Sequence, residues 1–187
     1  MRLFLALELQ PPVGEALEEA IAPLRAAAPE LCWVPPAKRH LTLKFLGDVP
    51  HARVGEVTAM TDAIARGHHP FEMELGGVGA FPNFRRARVV WSGVAHEPRL
   101  ELLHHDLEVA GDAVGFELEG RAFRPHVTLA RVRTAAEVDH VRRLARAARR
   151  VDFTAAQDID TITLFESTLA PAGAPYRRVH VATLGGG

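Results

Sequence analysis

Two short stretches of this chain, HLTL at residues 40–43 and HVTL at residues 126–129, repeat one order of side chains. Each has a histidine, an apolar residue, a threonine and a leucine. Because successive side chains of a β-strand point to opposite faces, the histidine and the threonine share one face and the apolar residues share the other. Each stretch therefore predicts half of a polar site that is backed by a hydrophobic core.

The sequence around these stretches predicts an α+β fold. Apolar runs and alternation predict strands at residues 2–9, 40–47, 71–75, 89–94, 123–132, 159–166 and 177–184. Amphipathic spacing predicts helices at residues 13–28, 53–66 and 97–114, and another that begins with a capping box at Thr134 and Glu137. The order strand, helix, motif strand, helix occurs twice. Two related lobes would place one histidine each beside a cleft between them.

Composition narrows the class of protein. The chain has 187 residues, of which 48% are hydrophobic and 24% charged, which suits one globular unit. A net charge of -1 argues against a nucleic-acid coat, although 22 basic residues leave room for a local patch. Cys32 is the single cysteine, so no intrachain disulfide is possible. The first nine residues are too short an apolar run for a signal peptide or a membrane span, and we expect a cytoplasmic location without membrane contact.

The repeated histidines suit acid–base chemistry. Histidine has an unperturbed pKa near neutrality, so two facing imidazoles can act as an acid and a base. Hydrolysis of a cyclic phosphodiester needs a base to deprotonate water and an acid to protonate the departing ribose oxygen. The hydroxyls of Thr42 and Thr128 can hold the non-bridging oxygens, where negative charge accumulates. Taken singly, each of these residues also fits an ordinary structural role in a strand.

Two cations near the motifs are candidate substrate-binding residues. Lys44 has the strand parity of His40 and Thr42, so it either adds a positive charge near the phosphate or extends into solvent. Arg131 lies five residues after His126, and regular alternation sends it to the opposite face. A bulge or a strand end would return its guanidinium to the site for bidentate binding of phosphate.

A metal centre is the rival use of histidine. The sequence has no His-Glu-x-x-His helix, and the neighbouring pairs His68-His69 and His104-His105 lack carboxylates at ligand spacing, so we interpret both pairs as solvated helix ends. We therefore expect no metal and no cofactor. Aromatic residues near a basic loop are candidate platforms for a stacked base, with a core role as the alternative: Phe81, Phe84 and Trp91.

The two motifs resemble the signature segments of the bacterial and archaeal RNA 2′,3′-cyclic phosphodiesterases. These proteins, also called 2′-5′ RNA ligase-like proteins, belong to the two-histidine phosphoesterase superfamily. The likeness rests on HLTLKFLG at residues 40–47 and RPHVTLARV at residues 124–132. Weaker similarities lie at residues 1–7, 33, 79–82, 89–91 and 164–167.

This resemblance implies a bilobal α+β fold that uses residues 1–187 as one domain. Two lobes related by a pseudo-twofold axis would direct antiparallel sheets at a central cleft, with helices on the outside. It also implies metal-free opening of a 2′,3′-cyclic phosphate at an RNA end to leave a 2′-phosphate. By the same likeness His40 would be the general acid and His126 the general base, Thr42 and Thr128 would hold the phosphoryl oxygens, and Arg131 would match the arginine that closes the second motif.

We therefore expect a monomeric RNA-end phosphodiesterase, with reverse 2′-5′ ligation of tRNA halves as an associated activity. Two alternatives stay open. One is a cyclic phosphodiesterase for small nucleotides such as ADP-ribose cyclic phosphate. The other is a non-catalytic RNA-binding module that keeps the fold.

Overall fold

Nine β-strands and five α-helices form within residues 1–133, 138–167 and 176–185, the ranges that the computed structural model describes. The strands are β1 (Arg2–Glu8), β2 (Cys32–Trp33), β3 (His40–Asp48), β4 (Phe71–Phe81), β5 (Val89–Val94), β6 (His126–Arg131), β7 (Thr154–Ile159), β8 (Thr161–Ser167) and β9 (Arg177–Thr183). The helices are α1 (Pro11–Ala20), α2 (Ala22–Ala27), α3 (Val54–Arg66), α4 (Pro98–Ala113) and α5 (Val138–Ala148).

The strands form one antiparallel sheet with two halves. Its order is β7-β4-β5-β6-β3-β1-β8-β9, and β2 pairs with β6. The halves meet where β3 pairs with β6 at Leu41 and Val127. Four strands of this order lie on each side of the seam, and each side contributes one of the two motif strands. The predicted α+β class, with two antiparallel halves that each supply one histidine, is confirmed.

The helices and the main core cover one face of this sheet. Leu3, Leu5 and Leu7 of β1 are fully buried in that core, together with Leu41 and Val127. Burial of each such side chain contributes about 1.5–3 kcal/mol. A smaller cluster lies on the opposite face of the same strands: Phe4, Ala6 and Phe165. Both faces of β1 are covered, which explains its continuous apolar run.

Some element boundaries differ from the prediction for local reasons. The helix predicted over residues 13–28 is split at Ile21, because Pro23 lacks an amide hydrogen and crowds the preceding turn. The strand predicted at residues 71–75 continues to Phe81, and its glycine stretch includes Gly77 at φ 65°. The capping box at Thr134 and Glu137 lies outside the described residues.

His69 and His105 are exposed, whereas their neighbours His68 and His104 are packed against other side chains. Nε2 of His68 lies 2.9 Å from a carboxylate oxygen of Asp106, and the His68 side chain is largely buried. His104 lies within α4, and its ring stacks on Phe123. The interpretation of both pairs as solvated helix ends was therefore wrong for His68 and His104, because the local sequence does not reveal which side of a helix is covered by tertiary packing. None of the helices in the described ranges combines the length and apolar composition of a bilayer span.

Close packing between β4 and β5 gives a test of this fold. A Cβ atom at Gly79 would lie 2.2 Å from two ring atoms of Trp91 on the neighbouring strand. We predict that Gly79→Ala displaces the indole and lowers the free energy of unfolding by about 1–3 kcal/mol. Gly14→Ala is the control, because Gly14 lies inside α1 with nothing within 4 Å of such a Cβ. It should raise stability by about 0.5–1 kcal/mol. Urea denaturation measures both, and equal stability of Gly79→Ala and wild type would contradict this packing.

Candidate active site

The seam between the two halves brings the motif residues together. Since Leu41 is paired with Val127 in an antiparallel ladder, the register sets His40 opposite Thr128 and Thr42 opposite His126. The two histidines are then diagonal neighbours, a relation in which residues lie about 7–8 Å apart and their Cβ atoms somewhat closer. All four side chains are only partly buried, whereas the apolar residues between them are in the core. The repeated polar residues therefore converge on one patch.

Both imidazoles are oriented by the same backbone contact. Nδ1 of His40 lies 2.8 Å from the carbonyl oxygen of Lys38, and Nδ1 of His126 lies 2.7 Å from that of Arg124. A carbonyl oxygen can only accept a hydrogen bond, so each Nδ1 carries the hydrogen. The neutral ring then has its unprotonated nitrogen at Nε2. Each histidine is thus prepared to exchange a proton through Nε2.

A matching bulge interrupts each motif strand. Leu43 has no partner in the ladder between β1 and β3, and Leu129 has none in the ladder between β5 and β6. An extra residue reverses the alternation that follows it. Phe45 and Arg131, each five residues after a motif histidine, consequently lie on the histidine face and are exposed.

Lys44 does not lie where its parity predicted. Because the bulge at Leu43 reverses the alternation, its side chain is buried on the face that carries the helices. Its Nζ donates to Oε2 of Glu108 and to the carbonyl oxygen of Glu117, both at 2.9 Å. The expectation that Lys44 shares the face of the histidines is wrong, and so is the alternative that it extends into solvent.

The surroundings of His40 favour its neutral form. Burial is the largest influence and lowers the pKa of His40 below its ordinary value of 6.5. The hydrogen bond to the Lys38 carbonyl raises this pKa, the charge of Arg131 lowers it, and the carboxylate of Glu8 raises it. Glu8 is the cross-strand partner of His40 on β1. Arg131 of the second motif thus acts on the histidine of the first.

Aromatic rings surround the two histidines. The ring of His40 lies 4.9 Å from that of Phe4 and 5.3 Å from that of Tyr176, and the ring of His126 lies 4.9 Å from that of Phe81 in an edge-on arrangement. Sequence reasoning named Phe81 as a candidate platform but missed Phe4 and Tyr176. Phe4 lies in the apolar run of β1 and is not distinguished there from core residues. Tyr176 lies far from His40 along the chain, so no local pattern connects the two.

Phe45 is a further residue that sequence reasoning missed. Its side chain is 65% exposed on the histidine face, although large aromatic residues are usually buried. Its place in the first motif matches that of Arg131 in the second, since both follow their bulge at the same spacing. An alignment of the two motifs would have given this signal.

A cavity of about 450 Å³ opens beside His40. Several of its lining residues are charged or aromatic, namely Glu8, Lys38, Arg39, Phe165, Tyr176, Arg177 and Arg178. Arg177 forms an ion pair with Glu166, and Arg178 forms one with Glu8. Over the part of the chain that the structure describes, no group of three or more His, Cys, Asp or Glu side chains is arranged to hold a metal ion.

Two histidine–threonine strands that meet at the seam of an antiparallel α+β sheet define the class of two-histidine phosphoesterases. The chain belongs to the LigT-like phosphoesterase family, because the family model described as "LigT like Phosphoesterase" matches residues 7–91 and 94–176. The resemblance inferred from the two motifs is therefore confirmed.

Individual relatives cover nearly the full chain. The RNA 2′,3′-cyclic phosphodiesterase of Methanothermobacter thermautotrophicus is 31% identical over 98% of this chain and 99% of its own length. The crystal structure of TT0787 from Thermus thermophilus has a TM-score of 0.81 and 31% identity, with 98% of each chain covered. The structure of E. coli LigT complexed with 3′-AMP has a TM-score of 0.75 and 26% identity, with 98% of this chain and 97% of that chain covered.

The two charges that act on His40 give a test of the site's electrostatics. Glu8→Gln removes a negative charge that raises the pKa of His40, so this pKa should fall further. Arg131→Met removes a positive charge that lowers it, so the pKa should rise towards 6.5. NMR titration of the His40 ring in both variants measures these shifts. Shifts of the same sign, or none in Arg131→Met, would contradict the described arrangement.

Proposed function

We propose that this protein hydrolyses 2′,3′-cyclic phosphates at RNA ends to 2′-phosphomonoesters, by metal-independent acid–base catalysis between His40 and His126. One observation carries the proposal: each Nδ1 is held by a backbone carbonyl, which leaves Nε2 of both rings available at one patch of the seam. Membership of the LigT-like phosphoesterase family and the names of full-length relatives support the substrate.

The proposed reaction uses the two rings in opposite protonation states. Nε2 of neutral His126 takes a proton from water, and the water oxygen forms a bond to phosphorus. The bond between phosphorus and the ribose 3′ oxygen breaks, and the imidazolium of His40 gives its proton to that oxygen. The product carries a 2′-phosphate and a 3′-hydroxyl, and proton exchange with solvent restores both rings.

The charge of the substrate supports the acid role of His40. Burial and Arg131 lower the pKa of this histidine in the free site. A phosphate anion bound beside the ring favours the imidazolium and offsets that effect. His40 would therefore acquire its proton as substrate binds.

Four further side chains complete the proposed site. The hydroxyls of Thr42 and Thr128 donate to the non-bridging oxygens, whose negative charge grows in the transition state. Arg131 binds the same phosphoryl group through its planar guanidinium. Phe45, at the matching place in the other motif, offers an exposed ring on which a base can stack. Lys44 has no part in phosphate binding, because it is buried on the other face.

An RNA end is the preferred substrate over a small nucleotide. The cavity beside His40 is lined by Lys38, Arg177 and Arg178, and the two arginines are each paired with one carboxylate. Basic groups next to a reacting phosphate suit the further phosphates of a polynucleotide, which can compete for such exposed pairs. We also propose that 2′-5′ ligation of tRNA halves follows the same chemistry: a 5′-hydroxyl of the second RNA attacks phosphorus in place of water, the bond to the ribose 3′ oxygen breaks, and a 2′-5′ phosphodiester forms.

Both catalytic groups come from one chain. We therefore propose a monomeric enzyme that uses residues 1–187 as a single two-lobed domain. We also propose a cytoplasmic location. Sedimentation velocity of the active protein tests the monomer, and an active species at twice the monomer mass would overturn it.

Substrate profiling tests the proposal against its alternatives. Turnover is measured on an oligonucleotide with a 2′,3′-cyclic phosphate end and on a cyclic mononucleotide, each with and without a chelator. We expect efficient opening of the oligonucleotide to a 2′-phosphate in all conditions. Equal handling of the mononucleotide would favour a small-nucleotide enzyme. RNA binding without turnover would favour a binding module, and loss of turnover in chelator would overturn the metal-free mechanism.

Removal of either imidazole should abolish most of the activity. His40→Ala and His126→Ala should each lower turnover by roughly 10² to 10⁴, the usual contribution of a positioned acid or base. Single-turnover assays on the cyclic-phosphate oligonucleotide measure the loss, and circular dichroism checks that each variant is folded. Near-native turnover in either folded variant would contradict the proposed site.

The leaving group distinguishes the acid from the base. An aryl phosphodiester such as bis(p-nitrophenyl) phosphate releases a group that needs little protonation, so loss of a general acid costs less on this substrate. The deficit of His40→Ala should therefore shrink by roughly tenfold or more, whereas that of His126→Ala should persist. The opposite pattern would exchange the two roles.

A further inference from the structure

A buried ion pair lies behind the catalytic seam. The side chains of Lys44 and Glu108 are 2% and 9% exposed, and their charged atoms are 2.9 Å apart. Gly111 of α4 leaves space for the lysine, since a Cβ there would lie 2.5 Å from Lys44 Cε. Such a pair is costly to bury unless other groups complete its hydrogen bonds. The other hydrogen-bond partners of Lys44 and Glu108 therefore show which part of the chain the ion pair positions.

Those partners belong to the segment between α4 and β6. Nζ of Lys44 donates to the carbonyl oxygen of Glu117, and the amide of Glu119 donates to Oε2 of Glu108 at 2.8 Å. The segment contains neither helix nor strand, and residues 117–122 are exposed. Both members of the ion pair thus hold the backbone of an otherwise irregular stretch.

A third contact fastens the same segment closer to the site. The ring of His104 stacks on that of Phe123, with centroids 3.7 Å apart and planes at 11°. His104 precedes Glu108 by one helical turn on α4. Burial lowers the pKa of His104, so a neutral ring packs against Phe123. Phe123 is followed directly by Arg124, whose carbonyl oxygen binds Nδ1 of His126.

We propose that Lys44, Glu108 and His104 form a clamp that places the Arg124 carbonyl against His126 and so sets the tautomer and orientation of that ring. The proposal rests on the proposed function, in which His126 is a reacting group. The three residues are positioning residues, because they lie on the helix side of the sheet, away from the cleft. Lys44, which lies on the strand of the first motif, thereby helps to position the backbone that leads into the strand of the second motif.

The main test substitutes Lys44 and observes His126 directly. In wild type, the ¹⁵N shifts of the His40 and His126 rings should both report a hydrogen on Nδ1, with resonances assigned from the alanine variants. In Lys44→Met we expect His126 to lose this signature while His40 retains it. Turnover on the cyclic-phosphate oligonucleotide should fall roughly 10- to 100-fold with little change in KM, since a small misplacement of a catalytic group has an effect of this size.

Two further variants separate positioning from folding. Lys44→Met/Glu108→Met replaces both buried charges with apolar side chains, a change that often preserves or increases stability, while it removes both contacts to the segment. It should show the same loss at His126 as Lys44→Met. Leu144→Ala creates a cavity under α5 without touching the clamp, and should lower the melting temperature but leave kcat and both ring spectra unchanged.

The results for these variants distinguish a positioning role of the clamp from a role in stability alone. A folded double variant with a wild-type His126 spectrum and wild-type turnover would overturn the clamp. An equal loss of kcat in Leu144→Ala at matched stability would reduce the role of Lys44 to stability alone. If the wild-type protein had no phosphodiesterase activity but Lys44→Met still changed the His126 ring spectrum as expected, the proposed function would be overturned and the clamp would stand.

Discussion

The pairing of β3 with β6 at Leu41 and Val127 is the contact on which the rest of the structure depends. Both residues are fully buried, and their pairing joins the two half-sheets through strands that lie far apart in the chain. A slip of one residue would turn the histidines and threonines into the core and the leucines into water. Burial of apolar side chains on one face of the seam therefore fixes the strand register, and this register presents the histidines and threonines on the other face.

The alternation that predicts the histidines and threonines also explains where prediction from sequence failed. A period of two identified His40, Thr42, His126 and Thr128 as cleft residues, since no bulge interrupts the strand between each histidine and its threonine. Beyond those threonines the bulges at Leu43 and Leu129 reverse the pattern, and nothing in the leucines themselves marks them as unpaired.

Other parts of the fold escaped prediction because their signals are tertiary. β2 has two residues, too few to show any periodicity, and it exists because the backbone of β6 offers a free edge beside it. β7 reads TAAQDI, a mixture of small and polar residues with weak strand propensity, and its pairing with β4 supplies the order. The aromatic residues around His40 come from β1, β8 and the residue that precedes β9, which only the folded chain brings together.

The two motif histidines are alike in their backbone contacts and unlike in their neighbours. Glu8 lies across the ladder from His40, whereas Gly93 occupies the corresponding place beside His126. An acidic neighbour favours the protonated ring, and burial opposes it. A near-symmetric scaffold thus gives its two equivalent histidines different electrostatic surroundings through a few side chains on adjacent strands.

Phe45 and Arg131 occupy matching places in the two motifs but differ in chemistry. The cleft is therefore not twofold symmetric at these places. In a truly symmetric groove, a nucleic-acid strand could lie in either direction with equal energy. With an aromatic ring on one rim and a guanidinium on the other, reversal of the strand would put a phosphate against the ring and a base against the cation. If RNA binds in this cleft as proposed, two residues, each five positions after a histidine, would set the polarity of the strand.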